Sequence, residues 1–513
     1  MIKMSLKEKL NQFWKREIKP RFDEETLNHQ VGLVDGSSVR YANLDNAATT
    51  TSFRAVVSKL EKELQEYGSV HRGAGDKSKI STKRYEEVRD TVRSFVNGKS
   101  TDYTVFAPNT TVGMNQLAYF FAHIKGKIMV SDIEHSSSWL PWIYQEGRYQ
   151  TTDQVSLEDA LKGKTDFINK AILDRGKKKV ITYKTKEDFT FDLEDIESML
   201  KEQAAKGEDE RVKVLVVTGA SNVTGYKPPL KEMADLAHKY CAMIVADCCQ
   251  LLQHEKVDMQ RQGLDFVVFS GHKMYAPFGS GAIVGDRRIL DAFWPYQMGG
   301  GNFTYINEDG EVLKYNTNQA HDPGTPNFAG ARAIHHAIRE LEDIGMDRIE
   351  EYEHELVGYA FDELSQMDKV RLYVGRNADG TFDRSLMTFN IEDMPHNLVS
   401  EILNFEYGIG TRAGSYCVYE YSRRIHDVST EEDERITREI LSGKTANIPG
   451  SVRASFGMYN HTEDADRLVS AVKEIAEKGF DYYKEKYSIN EQTGEWQPVG
   501  LGDPLLVSRN CPL

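Results

Sequence analysis

No stretch of this chain approaches the roughly 20 consecutive apolar residues that cross a bilayer, so a membrane-spanning protein is not expected. The opening residues, Met1 to Lys19, are charged and lack an apolar h-region, which argues against a secretory leader. Cysteine is scarce. Five in 513 residues cannot build a disulfide framework. Cys248 and Cys249 are adjacent at a strand end, Cys241 precedes that strand, Cys417 sits in a Gly-containing turn and Cys511 lies near the C-terminus. No paired metal-ligand spacing is present, so no metal site is expected. A reducing cytoplasm is the natural compartment for such a chain. A basic excess is missing too. Lys and Arg total 64 against 79 acidic residues, a formal net charge of -15, with no basic face for a nucleic acid. Repeats and low-complexity segments are absent.

What is present is an ordinary globular composition, 40% hydrophobic and 28% charged, over a length that calls for more than one core. The expected division is an N-terminal segment over 1–40, a large domain over 41–330, a small α+β domain over 331–485 and a tail over 486–513. Short apolar runs alternate with amphipathic stretches in the large domain. Strands are expected at Tyr103–Ala107, Lys127–Ser131, Val180–Tyr183, Val212–Val217, Ala242–Ala246, Phe266–Phe269 and Gly281–Val284. The Val212–Val217 run is almost wholly apolar, as in a parallel strand buried on both faces. Helices are expected at Thr51–Gln65, Thr82–Val96, from Thr110, and at Leu230–Tyr240. One long helical stretch, Ala329–Glu342, is expected to continue into Met346–Met367. The pattern predicts the α/β class with a mainly parallel sheet.

Five strand ends carry chemistry. Lys273 follows an apolar strand in Phe269-Ser270-Gly271-His272-Lys273, where glycine permits close backbone approach. A lysine there can bond a carbonyl carbon covalently and then move protons. A solvated turn lysine is the alternative. Asp247 ends the preceding strand, where an acid can keep a ring nitrogen protonated or simply cap a helix. Thr110 and Thr111 open a helix, either as a phosphate cradle or as an N-cap. His135 could lie flat on a ring or be structural. Asn222 could bond a phenolic oxygen or close an Asx-turn.

Together these segments resemble the class V aminotransferase-like branch of the fold-type I pyridoxal 5'-phosphate (PLP) enzymes. The resemblance is strongest to the cysteine desulfurase/selenocysteine lyase group. It extends over about Tyr41 to Ile475 through Leu44-Asp45-Asn46-Ala47-Ala48-Thr49-Thr50, Glu134-His135, Ser221-Asn222-Val223-Thr224-Gly225, Asp247 with Gln250, Ser270-Gly271-His272-Lys273, Gly324-Thr325-Pro326-Asn327, Arg412-Ala413-Gly414-Ser415-Tyr416-Cys417 and Arg453-Ala454-Ser455-Phe456-Gly457.

The resemblance implies a large fold-type I domain binding PLP and a smaller C-terminal domain. It implies Lys273 as the cofactor lysine, Asp247 as partner of the pyridine nitrogen and His135 as the residue stacked on the ring. Asn222 and Gln250 would lie near the substrate carboxylate and ring oxygen. Thr110, Thr111, Ser270 and His272 would hold the phosphate. Thr325 would be lent by a second copy in a homodimer. Arg412 or Arg453 would clamp the carboxylate of an amino-acid substrate, with Arg453 the better placed. Cys417 would take sulfur from L-cysteine as a persulfide, releasing L-alanine, and pass it to a sulfur-acceptor protein.

The chain departs from that group in four places. Val112 stands where glutamate is common, Ser136 and Ser138 replace His and Asn, and Tyr416 replaces a histidine. In addition, 35 residues separate Cys417 from Arg453, many of them charged. These leave open another class V activity on an amino acid: aminotransferase, C–S or selenocysteine lyase, or epimerase.

Overall fold

Short runs rich in Val, Ile and Phe pair into one seven-stranded sheet in the computed structural model, which describes residues 4–149, 154–162, 165–315, 317–377 and 379–500. The strands are β1 (Tyr103–Ala107), β2 (Lys127–Ser131), β3 (Val180–Tyr183), β4 (Val212–Thr218), β5 (Met243–Asp247), β6 (Phe266–Ser270) and β7 (Gly281–Gly285). Their order is β1-β7-β6-β5-β4-β2-β3. Pairing is parallel from β3 through β6, and only β7 runs against the rest. β4 is buried at every position, as a central strand covered on both faces must be. Met114, Leu117 and Phe121 of the helix Thr110–Ala122 join Val214, Val216, Val245 and Val268 in one core cluster. Because six strands share a direction, their carboxyl ends lie along one edge of the sheet. This is where an open α/β sheet gathers ligand-binding groups.

The helix Ser136–Tyr149 begins one residue after His135. It crosses the helix Asp166–Lys177 at two glycines. A Cβ on Gly147 would meet the Ile172 carbonyl oxygen at 1.9 Å, and one on Gly176 would meet the Ile143 oxygen at 1.8 Å. Backbone-to-backbone contact therefore sets the pose of the helix that follows His135.

Contacts divide the chain into two compact units. The larger comprises Thr50–Ser221 and Tyr226–Asp347, and the smaller Met1–Thr49, Asn222–Gly225 and Arg348–Leu513. The division differs from the one read from sequence: residues 331–347 go with the larger unit, and residues 1–49 and 222–225 with the smaller. The expected long helix is broken at Gly345 (φ 96°). Its first half, Phe328–Ile344, stays with the large unit through buried polar pairing: Arg332 with Glu63 at 2.7 Å, His336 with Glu63 at 3.1 Å and Thr91 with His335 at 2.9 Å. Residues 1–40 are part of the small unit's core rather than a separate lead. Leu10 is buried in it, and Trp14 Nε1 donates to the Tyr459 carbonyl at 2.8 Å. The expected tail begins with a paired hairpin, Tyr487–Ile489 with Trp496–Pro498, whose Tyr487 and Trp496 enter the same core. Tail residues 501–513, Cys511 included, lie outside the described residues.

In the small unit an antiparallel sheet is built from β8 (Val370–Leu372), β9 (Leu386–Ile391), β10 (Arg412–Gly414) and β11 (Ser451–Ser455), in the order β8-β9-β11-β10. Leu398, Leu468 and Val472 from its helices pack with Phe389 and Val452 of the sheet. The charged stretch between β10 and β11 forms two helices, Tyr419–Ile425 and Thr430–Leu441. Among the described residues no helix is long and apolar enough to cross a membrane.

The glycine crossing is testable. Gly176→Ala should destabilise the protein by about 1–3 kcal/mol, the usual cost of forcing atoms into a packed site. Gly358→Ala, in a helix where the new methyl meets Phe382 at an ordinary 3.7 Å, should be neutral or stabilising by about 0.5–1 kcal/mol. Thermal unfolding checks both, and equal effects would refute the close-contact account.

Candidate functional site

In the large unit β6 ends at Ser270, and the chain turns through a 3₁₀ turn, Gly271–Lys273. The turn is held from both sides. The Gly271 N–H donates to the Ser280 carbonyl at 2.7 Å and the Ala276 N–H to the Gly271 carbonyl at 3.0 Å. The Thr50 N–H donates to the His272 carbonyl at 3.1 Å, and Thr50 Oγ1 accepts from the Tyr275 N–H at 2.8 Å. Thr50 thus brackets the segment carrying Lys273, which is half-buried. Burial and the nearby Lys273 charge lower the pKa of His272 to about 4, so its ring is neutral at pH 7.

Asp247 ends β5 and is only 5% exposed. Its carboxylate accepts from the Ser138 hydroxyl and, at 3.0 Å, from the Cys249 N–H. Burial raises its pKa, while those two bonds and the Lys273 charge oppose the rise. No helix follows for it to cap. Ser138 is one of the residues read as a departure, yet it supplies this bond. His135 is half-buried, with Nδ1 accepting from the Ser137 N–H at 3.1 Å, which leaves Nε2 to carry the ring proton of a neutral imidazole. Gln250 is buried just after β5.

Thr110 opens its helix, but the N-cap is Asn109, whose side chain accepts from the Val112 N–H at 3.0 Å. Neither threonine caps. Thr110 instead meets Ser270: its N–H donates to Ser270 Oγ at 2.8 Å and the two hydroxyls are 2.8 Å apart. Thr111 is exposed and shares a hydrogen bond with Ser137 at 2.7 Å. At this helix N-terminus of positive polarity each threonine hydroxyl thus meets a serine hydroxyl. Thr325 is exposed and lines a cavity of about 210 Å³ with Pro108, Gln116, Ser280 and His321.

Near Asp247 lies a second carboxyl, that of the Glu134-His135 motif, to which the sequence reading gave no role. Glu134 is fully buried, and Oε1 accepts from the Ser131 hydroxyl and the Thr218 N–H, both at 2.7 Å. Oε2 has no partner in the protein. Burial, with Asp247 and Asp132 nearby, pushes its pKa up to about 8. The cluster His71, Glu86 and Asp322 has metal-like spacing. The cation among these acids is Arg89, which bonds Glu86 at 3.1 Å and pairs with Asp322.

The small unit holds the remaining candidates. Asn222 is buried, and its Nδ2 donates to the Tyr416 carbonyl at 2.9 Å. Arg453, on β11, is 2% exposed. It donates to the Asn222 carbonyl at 3.0 Å and to Asp45 at 3.1 Å, and its Nε has no partner. Arg412 is exposed and lies opposite Arg453 in the β10–β11 register. Asp45 is the one carboxylate with a hydrogen bond to Arg453 among the described residues. Cys417 is half-buried in a turn where Tyr416 (φ 54°) and Cys417 (φ 61°) are both left-handed. None of the four described cysteines is in a disulfide.

A mainly parallel sheet with a lysine, a buried acid and a hydroxyl-lined helix start at its strand ends defines an α/β enzyme of the fold-type I PLP class. Comparison with known proteins takes this further. The family model for aminotransferase class-V matches residues 42–152 and 167–468. A probable cysteine desulfurase of Halalkalibacterium halodurans is 31% identical over 450 residues, covering 86% of this chain and 95% of that protein. One from Staphylococcus aureus is 30% identical, covering 85% and 92%. Among solved structures, the cysteine desulfurase CsdA of Escherichia coli superposes with a TM-score of 0.67 at 25% identity, covering 86% of this chain and 96% of that one. A cysteine desulfurase of Thermococcus onnurineus gives 0.68 at 26%, covering 85% and 95%. The chain belongs to the aminotransferase class-V family, and within it is a cysteine desulfurase-like enzyme.

The buried acid is testable through pH. Glu134 has its folded pKa raised from 4.5 to about 8. Folding therefore takes up a proton between those values, and the stability this group contributes falls as pH rises from about 4.5 through about 8. Glu134→Gln fixes the neutral form and keeps Oε1 as acceptor. Its melting temperature relative to wild type should rise from pH 5 to pH 9. A difference independent of pH would show that Glu134 is ionised throughout.

Proposed function

We propose that this enzyme removes sulfur from L-cysteine, with Lys273 carrying PLP and Cys417 receiving the sulfur. The observation carrying the reading is Cys417 itself. It sits in a built turn in the unit that also holds Arg453 and Asn222, in a chain about 30% identical to probable cysteine desulfurases.

The residues fit the cofactor. A buried acid at a strand end, bonded by neutral donors only, suits a protonated ring nitrogen, which would supply the charge it lacks. Thr110, Thr111, Ser270 and neutral His272 suit a phosphate, with Thr325 of a second copy completing it in a homodimer. His135 would cover the ring, and Asn222 and Gln250 would border its oxygen. When bound, PLP supplies an electron sink for the charge left at the substrate Cα. Lys273 would hold and return protons at Cα. Arg453 would clamp the carboxylate, with exposed Arg412 adding charge. Two guanidiniums lie on paired strands, and the buried one bonds a single carboxylate, Asp45, and leaves its Nε without a partner, which suits a second anion.

Cys417, as thiolate, would attack the substrate sulfur. A new S–S bond forms as the Cβ–S bond breaks, its electron pair passing to Cβ, which takes a proton. The balance is L-cysteine plus enzyme thiolate plus a proton giving L-alanine plus enzyme persulfide. No external oxidant or reductant enters. An acceptor protein would then draw off the sulfur. A cytoplasmic setting follows from the reduced thiol this chemistry needs.

Cys417→Ser should keep the bound-cofactor spectrum and lose persulfide, sulfide and alanine production. Turnover at the wild-type rate would end the desulfurase reading. Borohydride reduction followed by peptide mapping should place the pyridoxyl group on Lys273 and on no other lysine. Arg453→Lys should raise KM for L-cysteine by about ten- to a hundredfold, the worth of a charge-assisted pair, whereas Arg412→Lys should have a smaller effect.

A further inference from the structure

Left-handed backbone is uncommon for residues that carry a Cβ, and two in succession persist only where the surroundings over-determine them. Tyr416 (φ 54°) and Cys417 (φ 61°) are such a pair, entered through Gly414 (φ 122°). Four contacts hold them. The Tyr416 hydroxyl donates to the Ser451 carbonyl on β11. The Tyr416 carbonyl accepts from Asn222 Nδ2 at 2.9 Å. The Val418 N–H closes the turn on the Ser415 carbonyl at 3.0 Å. The Arg453 guanidinium lies over the Tyr416 ring, 4.7 Å from its centroid.

These contacts form a closed circuit. Asn222 holds Tyr416 with its side chain and Arg453 with its carbonyl, and Arg453 returns to Tyr416 through the ring face. Tyr416 itself is 5% exposed. We propose that Tyr416 is a positioning residue: it braces the Cys417 turn against β11 and ties the pose of the thiol to that of the Arg453 guanidinium. This rests on reading Cys417 as the sulfur acceptor and Arg453 as the carboxylate clamp.

The chemistry of tyrosine suits a brace better than an acid or base. Its one proton is committed to a backbone carbonyl. Burial raises its pKa, so the hydroxyl stays protonated across the working range. Its flat ring supports a guanidinium while its far end is anchored. The thiol is then presented from a fixed turn, held where the substrate carboxylate is also held. This makes the tyrosine at 416 a replacement with its own mechanical role.

Two variants separate the parts. Tyr416→Phe removes only the anchor on Ser451, and Tyr416→Leu also removes the ring under Arg453. The readout independent of turnover is the rate at which iodoacetamide alkylates Cys417 in the full-length holoenzyme, followed at the Cys417 peptide by mass spectrometry because Cys241 is exposed and will react as well. Tyr416→Phe should raise that rate by about fivefold, the change in turn opening that one lost hydrogen bond brings. In the same variant kcat for L-cysteine should fall by about tenfold or more, as misplacing a reacting group does, with KM little changed. Tyr416→Leu should add a rise in KM. If Tyr416→Leu does not fold, Tyr416→Phe decides alone. An unchanged alkylation rate overturns the brace, and faster alkylation with unchanged kcat overturns its link to the reaction. Failure of the underlying reading is visible separately, since Cys417→Ser would then keep its turnover while the alkylation result still judges the brace.

Discussion

A carboxylate taken out of water at the end of an apolar strand must lose its charge or find a cation, and the large unit is organised around that choice at Asp247. Its two bonds come from neutral donors, the Ser138 hydroxyl and the Cys249 N–H. They orient the group and offset part of the cost of its charge without supplying a counter-charge. Glu134 sharpens the constraint, because two carboxyls close together in a dry site do not both ionise cheaply. Glu134 has a bare oxygen and no cation, so it keeps its proton. At Asp247 burial also raises the pKa, but two donors and the Lys273 charge oppose that rise. The proposed pyridine nitrogen would complete this compensation.

The small unit poses the same problem with the opposite sign. Arg453 is 2% exposed, and a buried guanidinium needs anions or oriented dipoles around it. Asp45 provides part of the compensation, the Asn222 carbonyl another part and the Tyr416 ring a third. In the proposed reading the substrate carboxylate would supply the rest, at the Nε that has no partner within the protein.

Much of this architecture could be read from the residues. β1, β2 and β3 fall where the apolar runs placed them, since a strand buried on both faces shows itself as an uninterrupted run between polar turns. The motif residues proved to occupy strand ends and turns for the same reason. Other features were not legible. The helices Tyr419–Ile425 and Thr430–Leu441 went unassigned because their apolar stripes are thin, the second burying Ile436 alone. The break at Gly345 was hidden because the helical period runs on either side of it. The pairings that give the site its electrostatics were hidden by distance along the chain. Ser138 meets Asp247 across 109 positions, and Asn222 meets Tyr416 across 194. No local pattern encodes such a contact.

Two departures from the family pattern nevertheless make built contacts. A serine at 138 is shorter than an asparagine, but as an O–H donor it still reaches Asp247 from a helix that packs closely at Gly147 and Gly176. A tyrosine at 416 is longer than a histidine, and the extra length carries its hydroxyl to β11. Each change alters how a group is held while keeping the group in place. Where the surrounding backbone is rigid, different side chains can satisfy the same electrostatic demand. In the proposed reading the demand itself stays the same: a cation at Asp247 and an anion at Arg453.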